Sequence, residues 1–236
     1  MCPMKNIRHI FFDLDNTLWD HRKNAYLTLK EIYRRENIQK IYRIPFEEFH
    51  KEYFTINENL WAQIRDGKIT KEYLRKHRFY DSFMFFGVDD EALGLRFEHN
   101  FLDEILSYNE LVPGAFEILE YLSEKDYKLH ILSNGFHEVT YKKAELSGIK
   151  NYFQTITSAD EINVRKPQPE IFRYALGKAQ AQRDSSVMIG DDWIADVRGA
   201  KSFGMAQQVF FDVFNDEFSG DGIISIRKLD ELRNYY

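Results

Sequence analysis

Two aspartates near the amino terminus, Asp13 and Asp15, stand directly after a short run of apolar and aromatic residues at 7–12. Such a run is typical of a buried strand, so the two carboxylates are expected where that strand ends. Residues two apart on an extended chain project to the same side, and carboxylates this close repel unless a cation or a proton lies between them. Hard cations such as Mg²⁺ favour oxygen ligands. The spacing therefore predicts a cation site, although a strand end followed by a turn at Asp15 and Asn16 fits the same residues.

The elements that must position this pair follow from the rest of the chain. After residue 113, apolar residues recur alternately at strand and at helix spacing, and Gly148 and Gly204 indicate helix ends. Strands separated by single helices are typical of a doubly wound, Rossmann-like α/β core built on a parallel sheet. The predicted strands cover residues 7–12, 127–132, 153–157, 187–189 and 207–211.

Residues 20–104 have a different pattern, with few prolines and glycines and with apolar residues at helical spacing. A stretch this long is not a loop inside a compact domain. We therefore expect an inserted helical domain at 20–104 and an α/β core formed by residues 1–19 and 105–236. The segment 22–80 has a net charge of +6. That charge fits either a basic surface that attracts an anionic substrate or ordinary solvated helix faces.

Polar residues at the other strand ends should meet the first pair at one rim of the sheet. Ser133 and Asn134 follow the second predicted strand, Asp191 and Asp192 follow the fourth, and Lys166 begins the helix after the third. Ligands bind open parallel sheets outside the carboxyl ends of the strands, near the point where the strand order reverses. Acidic groups, a hydroxyl, an amide and a lysine on one rim are suited to a divalent cation together with a phosphate group.

Four segments of the chain resemble the motifs of the haloacid dehalogenase (HAD) superfamily, and they occur in the order found in that family. The matching segments are FFDLDNTL at 11–18, LSNG at 132–135, Lys166-Pro167, and IGD at 189–191 with Asp196 five residues beyond Asp191. The helical region lies where subfamilies with a C1 cap domain carry it. In length and first-motif wording the chain is similar to members of the pyrimidine 5′-nucleotidase type, and also to phosphoglycolate phosphatase-type members.

The resemblance implies phosphoryl transfer through a covalent aspartyl-phosphate. On the matching positions, Asp13 would be the nucleophile and one Mg²⁺ ligand. Asp15 would protonate the leaving group and then activate water, and its backbone carbonyl would also bind the metal. Asp191 would complete the metal site.

The remaining motif residues would bind phosphate or support the metal. The resemblance implies that Ser133, the amide N–H of Asn134 and Lys166 hold the phosphoryl oxygens. It also implies that Asp192 or Asp196 supports the metal site from behind, and the motif allows either.

The second aspartate favours an ester as the substrate. Dehalogenases of the superfamily release a halide, which needs no proton, and they lack the residue that matches Asp15. We therefore expect a Mg²⁺-dependent phosphomonoesterase acting on a small organic phosphate, with a nucleoside 5′-monophosphate preferred and phosphoglycolate or a sugar phosphate as the alternative. A phosphoacceptor or binding module without turnover is the rival from a different class. Such modules are shorter and carry the acceptor on a middle strand.

Composition limits the other classes of function. The net charge of −6 over 236 residues is unfavourable for binding a nucleic-acid polymer. No run approaches the roughly 18 apolar residues of a membrane span. Cys2 is the single cysteine, which precludes an internal disulfide and fits a reducing compartment. These features predict a cytoplasmic protein with no nucleic-acid or membrane partner. The family resemblance implies that its partner is a small phosphorylated metabolite, and the oligomeric state stays open.

Overall fold

The structure, a computed structural model, describes residues 7–236, and Cys2 lies outside this part of the chain. It divides into two compact units, one formed by the described residues up to His21 together with Asn109–Tyr236, the other by Arg22–Tyr108. The segments next to the division pair with each other: the Asp20 N–H donates to the Glu110 carbonyl at 3.0 Å. This pairing keeps both connecting segments with the sheet unit, so the division falls at His21 and Asn109, whereas the expected boundaries were 19 and 105.

The sheet unit is built on parallel strands in the order β3-β2-β1-β4-β5-β6, counted over residues 7–236. The strands are β1 (His9–Phe12), β2 (Lys128–Ser133), β3 (Phe153–Ser158), β4 (Ser186–Gly190), β5 (Gln207–Phe211) and β6 (Ile224–Ile226). Strand β1 pairs with β2 on one side and with β4 on the other, so the strand order reverses at β1. The predicted doubly wound parallel sheet is confirmed.

Strand β1 is short and buried over its whole length. Successive side chains of a strand point to opposite faces, so burial of all four residues means that both faces of the sheet are covered here. This is why the strand has no alternation of polar and apolar residues. Strand β6 was not predicted, because its three residues are too few to show a period.

The helical unit is held together by aromatic side chains. Its helices are α1 (His21–Arg35), which belongs to this unit from Arg22 onward, α2 (Ile38–Tyr42), α3 (Phe46–Arg65), α4 (Lys71–Phe85) and α5 (Glu91–Glu104). Phe83 on α4 packs against Phe49 of α3 and Phe97 of α5, with ring centroids 4.7 and 4.9 Å apart. All three rings are fully buried, so aromatic residues at helical spacing form the core of this unit.

The helices of the sheet unit connect successive strands. They are α6 (Ala115–Glu124), α7 (His137–Leu146), α8 (Pro169–Lys178) and α9 (Gly199–Phe203), with a π-helical turn at Trp193–Arg198 before α9. Gly148 and Gly204 have φ values of +79° and +88° after α7 and α9, which confirms the predicted glycine stops. In the part of the chain that the structure describes, no helix combines the length and the apolar character needed to span a membrane.

Candidate active site

The carboxyl end of β1 carries both aspartates of the first motif. The Asp13 N–H donates to the Ile189 carbonyl at 2.8 Å, which continues the β1–β4 pairing and fixes where the Asp13 side chain leaves the sheet. The chain then turns tightly, because the Trp19 N–H donates to the Leu14 carbonyl at 2.9 Å. Asp15 lies in this turn, and its carboxylate is partly exposed.

Lys166 is a fully buried cation at this rim. Its Nζ donates to Asp13 Oδ1 at 2.5 Å, to Asp196 Oδ1 at 2.6 Å and to the Leu132 carbonyl at 2.7 Å, so each ammonium proton has an acceptor. The Asn134 side chain fixes the Lys166 backbone: its Oδ1 accepts from the Lys166 N–H at 2.7 Å, and its Nδ2 donates to the Lys166 carbonyl at 3.0 Å. The Asn134 side chain thus orients the lysine.

Asp191 lies directly after β4 and is held by Thr17. Thr17 Oγ1 donates to Asp191 Oδ1 at 3.0 Å and accepts from the Asp191 N–H at 3.1 Å. One carboxylate oxygen from each of Asp13, Asp191 and Asp196 lies within 4.8 Å of the others. Three hard oxygen ligands at this spacing fit a divalent cation such as Mg²⁺. Thr17 belongs to the first motif, but the sequence alone gave it no role.

The two acids that follow Asp191 have different surroundings. Asp192 caps the π-helical turn, since its Oδ1 accepts from the Ile194 and Ala195 N–H groups at 2.8 and 2.9 Å. Asp196 is buried and bonded to Lys166, and its Oδ2 accepts from the Asp192 N–H at 3.1 Å. The geometry therefore favours Asp196 as the acid that supports the cluster.

The electrostatics of the cluster favour cation binding, because three carboxylates share one buried lysine. Burial raises the pKa of Asp13, and Lys166 offsets this only in part. Burial raises the pKa of Asp191 well above its ordinary value, and the nearby Asp13 and Asp196 add to the effect. Burial alone would lower the pKa of Lys166, but its two carboxylate partners raise it overall, so the lysine stays protonated. A divalent cation would relieve the remaining repulsion.

Lys143 is a site residue that the sequence patterns did not indicate. Its buried Nζ donates to Asp15 Oδ1 at 2.5 Å and lies 4.2 Å from the centroid of the Trp19 ring. Burial raises the pKa of Asp15, but Lys143 and His21 outweigh this and hold the pKa below its ordinary value. Lys143 lies on the buried face of α7 beside Ala144. The signal in the sequence that could have indicated it is its position three residues after Thr140, on the buried face of the helix.

The turn after β2 brings Ser133 to the same rim. Ser133 Oγ accepts from the Gly135 N–H at 2.9 Å, and a Cβ placed on Gly135 would lie 3.5 Å from Asp15 Oδ2. The turn at 133–135 therefore lies against the Asp15 carboxylate. The predicted residues that meet at this rim are Asp13, Asp15, Ser133, Asn134, Lys166, Asp191 and Asp196, with Asp192 beside them as a helix cap.

The chain matches a protein-family model, and it has a similar solved structure. The model describes a haloacid dehalogenase-like hydrolase and matches residues 7–204. YfnB of Bacillus subtilis (strain 168), described as a HAD-hydrolase, is 28% identical over 203 residues, which are 86% of this chain and 83% of YfnB. The crystal structure of magnesium-bound YfnB covers 98% of both chains, with a TM-score of 0.86 and 26% identity.

Two further relatives carry names that specify a substrate class. YjjG of Escherichia coli (strain K12), a pyrimidine 5′-nucleotidase, is 30% identical over 200 residues, which are 84% of this chain and 83% of YjjG. Glyceraldehyde 3-phosphate phosphatase of Pyrococcus furiosus is 30% identical over 210 residues, which are 86% of this chain and 80% of that protein. Both the family and the enzyme class predicted from the motifs are confirmed. The chain belongs to the haloacid dehalogenase-like hydrolase family.

Proposed function

We propose that this hydrolase is a Mg²⁺-dependent phosphomonoesterase that acts through an aspartyl-phosphate on a small organic phosphate, with a nucleoside 5′-monophosphate as the preferred substrate. The observation that carries the proposal is that one carboxylate oxygen from each of Asp13, Asp191 and Asp196 lies within 4.8 Å of the others. Lys166 donates a hydrogen bond to Asp13 and to Asp196. Asp15 stands two residues from Asp13 on the same rim. Two carboxylates in different surroundings are suited to different roles, one as nucleophile and one as acid and base.

Asp13, the backbone carbonyl of Asp15 and Asp191 would hold the metal ion. Bound there, Mg²⁺ supplies positive charge that offsets the repulsion between the carboxylates and a phosphate dianion. Asp196 supports this arrangement through Lys166, to which it is bonded at 2.6 Å. We assign the supporting role to Asp196 because the Asp192 side chain is used as a helix cap.

The reaction is a double displacement at phosphorus. A carboxylate oxygen of Asp13 forms a bond to phosphorus as the bond from phosphorus to the ester oxygen breaks. Asp15, which rests as a carboxylate, takes up the proton of a monoanionic phosphate ester and passes that proton to the departing alkoxide. Asp15 then takes a proton from a water molecule that attacks the aspartyl-phosphate, which releases inorganic phosphate and restores Asp13. Ser133, the Asn134 N–H and Lys166 hold the phosphoryl oxygens.

The relatives support the choice of substrate. YjjG is named as a pyrimidine 5′-nucleotidase and is 30% identical to this chain, which favours a nucleoside 5′-monophosphate. The Pyrococcus furiosus relative is named as a glyceraldehyde 3-phosphate phosphatase at the same identity, so a small sugar phosphate is the second candidate. Phosphoglycolate remains the further alternative from the motif resemblance.

The test is phosphate release by the purified protein from pyrimidine nucleoside 5′-monophosphates, glyceraldehyde 3-phosphate, phosphoglycolate and p-nitrophenyl phosphate. We expect turnover with Mg²⁺, none after EDTA, and recovery when Mg²⁺ is restored. Asp13→Asn should lower kcat by at least about 10³-fold while the circular dichroism spectrum is unchanged. Full activity in metal-free buffer or in the Asp13→Asn variant would refute the proposal. A single phosphate bound per chain without further release would favour the phosphoacceptor module.

A further inference from the structure

Lys143 and Asp15 form a directed contact that the reaction above does not use. The Lys143 side chain is 7% exposed, and its Nζ donates to Asp15 Oδ1 at 2.5 Å. The two residues are 128 positions apart in the sequence, so the contact depends on the packing of α7 against the sheet. An ammonium placed on one oxygen of a carboxylate determines how that group is rotated.

The two oxygens of Asp15 have different surroundings. Oδ1 is bound by Lys143, whereas Oδ2 faces the turn at 133–135, where it would lie 3.5 Å from a Cβ on Gly135. That turn contains Ser133 and Asn134, to which we assign the phosphoryl oxygens. The bond from Lys143 restrains rotation of the carboxylate plane, so the oxygen that the ammonium does not bind stays directed at this turn.

The Trp19 ring also contacts the ammonium of Lys143. Lys143 Nζ lies 4.2 Å from the centroid of the Trp19 ring, which is within the range of a cation–π contact. Trp19 is fully buried, and its carbonyl accepts from the Asn16 N–H at 2.7 Å, one residue beyond Asp15. Trp19 and Asp15, the two residues that contact the Lys143 ammonium, therefore belong to one short turn. The turn limits the movement of both side chains.

We infer that Lys143 is a positioning residue for Asp15: it occupies Oδ1 and keeps Oδ2 directed at the turn that binds the transferred phosphoryl group. This inference rests on the proposed function, because it assigns Lys143 to the proton transfers of that reaction. Positioning matters most where a proton is required. A displacement of about 1 Å can cost on the order of 10²-fold in rate.

The experiment compares two substrates with different leaving groups. p-Nitrophenyl phosphate releases a stable phenolate that needs little protonation, whereas the best alkyl phosphate of the screen above releases an alkoxide that needs a proton. We expect Lys143→Met to lower kcat about 10²-fold on the alkyl phosphate and less than about tenfold on p-nitrophenyl phosphate. Lys143→Gln keeps a neutral donor for Oδ1 and should recover part of the loss. Lys142→Met, at the exposed lysine next to it, is the matched control and should equal the wild type.

A double-mutant cycle separates positioning from a general loss of structure. If Lys143 acts through Asp15, Asp15→Asn/Lys143→Met should be no more than about threefold slower than Asp15→Asn alone. Thermal unfolding by circular dichroism shows whether each variant is folded, and Lys143→Gln takes the place of Lys143→Met in the cycle if the latter is unfolded. Losses that multiply in the double variant, or an equal loss on both substrates, would overturn the inference while the wild type remains a phosphatase. An inactive wild type would instead overturn the proposed function and this inference with it.

Discussion

Thr17 and Asp191 exchange two hydrogen bonds although they are 174 positions apart in the sequence. The hydroxyl donates to the carboxylate at 3.0 Å and accepts from the Asp191 N–H at 3.1 Å. Thr17 is fully buried, so these bonds are shielded from water. A hydroxyl on one oxygen restrains the rotation of the carboxylate, as groups behind a metal ligand commonly do.

Replacement of Thr17 should therefore weaken metal binding more than it weakens the fold. We expect Thr17→Val to raise the Mg²⁺ concentration for half-maximal activity by roughly 10- to 100-fold, because the isosteric side chain cannot orient Asp191. The measurement is a Mg²⁺ titration of phosphate release. Thr17→Ser keeps the hydroxyl and is the control, expected within about threefold of wild type. Equal Mg²⁺ requirements in the valine and serine variants would contradict the role of the hydroxyl.

Removal of the Lys166 ammonium should destabilise the sheet unit strongly. The lysine lies between Asp13 and Asp196, and its loss leaves two buried carboxylates without a cation. We expect Lys166→Met to lower the free energy of unfolding by about 3–5 kcal/mol, as measured by urea denaturation without added metal. Lys142→Met, at an exposed position, should change it by less than about 0.5 kcal/mol. A loss below about 1 kcal/mol in Lys166→Met would show that the buried carboxylates do not depend on this cation.

Gly190 leaves room for the Asp196 side chain. A Cβ at this position would lie 2.1 Å from Asp196 Oδ2, a distance at which something must shift. We expect Gly190→Ala to cost about 1–3 kcal/mol of stability and to displace Asp196 from Lys166. Gly177 on α8 is the matched control, because its Cβ would meet nothing within 4 Å and alanine is the better helix former, so Gly177→Ala should gain about 0.5–1 kcal/mol. The measurement is the free energy of unfolding of both variants by urea denaturation. A Gly190→Ala protein as stable as the wild type would argue against tight packing at this strand end.

His130 should make the stability of the protein depend on pH in mild acid. His130 Nδ1 lies 2.8 Å from Thr155 Oγ1, and burial, with His9 nearby, lowers the pKa of His130 to about 3. The folded state therefore favours the neutral ring of His130. The contribution of this ring to the free energy of unfolding is complete above the unfolded pKa near 6.5 and declines as the pH falls from there towards 3. In that window each pH unit should cost about 1.4 kcal/mol from this residue alone.

The measurement is the free energy of unfolding at a series of pH values from about 7 to about 4.5. We expect His130→Gln to flatten the slope relative to wild type, since glutamine carries no ionisable ring. His99→Gln, at an exposed position on α5, should leave the slope unchanged, while carboxylates contribute the same background in all three proteins. Parallel curves for wild type and His130→Gln would show that His130 is not kept neutral by the fold.

The sheet and its rim were predictable because strands and strand ends have local signatures. A buried strand such as β1 is a short apolar run, and the polar residue that ends it is visible in the sequence, as Asp13 and Ser133 are. In an open parallel sheet, ligands bind outside the carboxyl ends of the strands. This rule predicts that such residues lie close together before any distance between them is known. The convergence of Asp13, Lys166 and Asp191 followed from topology rather than from any single motif.

What escaped prediction depends on packing between distant segments. Lys143 has the local environment of an ordinary helical lysine, and only the docking of α7 reveals that its Nζ reaches Asp15. The choice between Asp192 and Asp196 likewise required the geometry of the π-helical turn. In that turn Asp192 accepts from backbone N–H groups, whereas Asp196 accepts from Lys166. Strand β6 pairs three residues with the edge strand β5. Three residues are too few to show a hydrophobic period in the sequence.

The paired connecting segments have a consequence for how this chain can be rebuilt. Trp19 forms an antiparallel bridge with Leu111, and the Val112 N–H donates to the Leu18 carbonyl at 2.8 Å. The chain departs for its helical insertion and returns from it through neighbouring backbone positions, much as at the two ends of a hairpin. A short turn could join these ends without stretching the sheet unit, so the helical insertion could be shortened or exchanged while the paired segments stay in place.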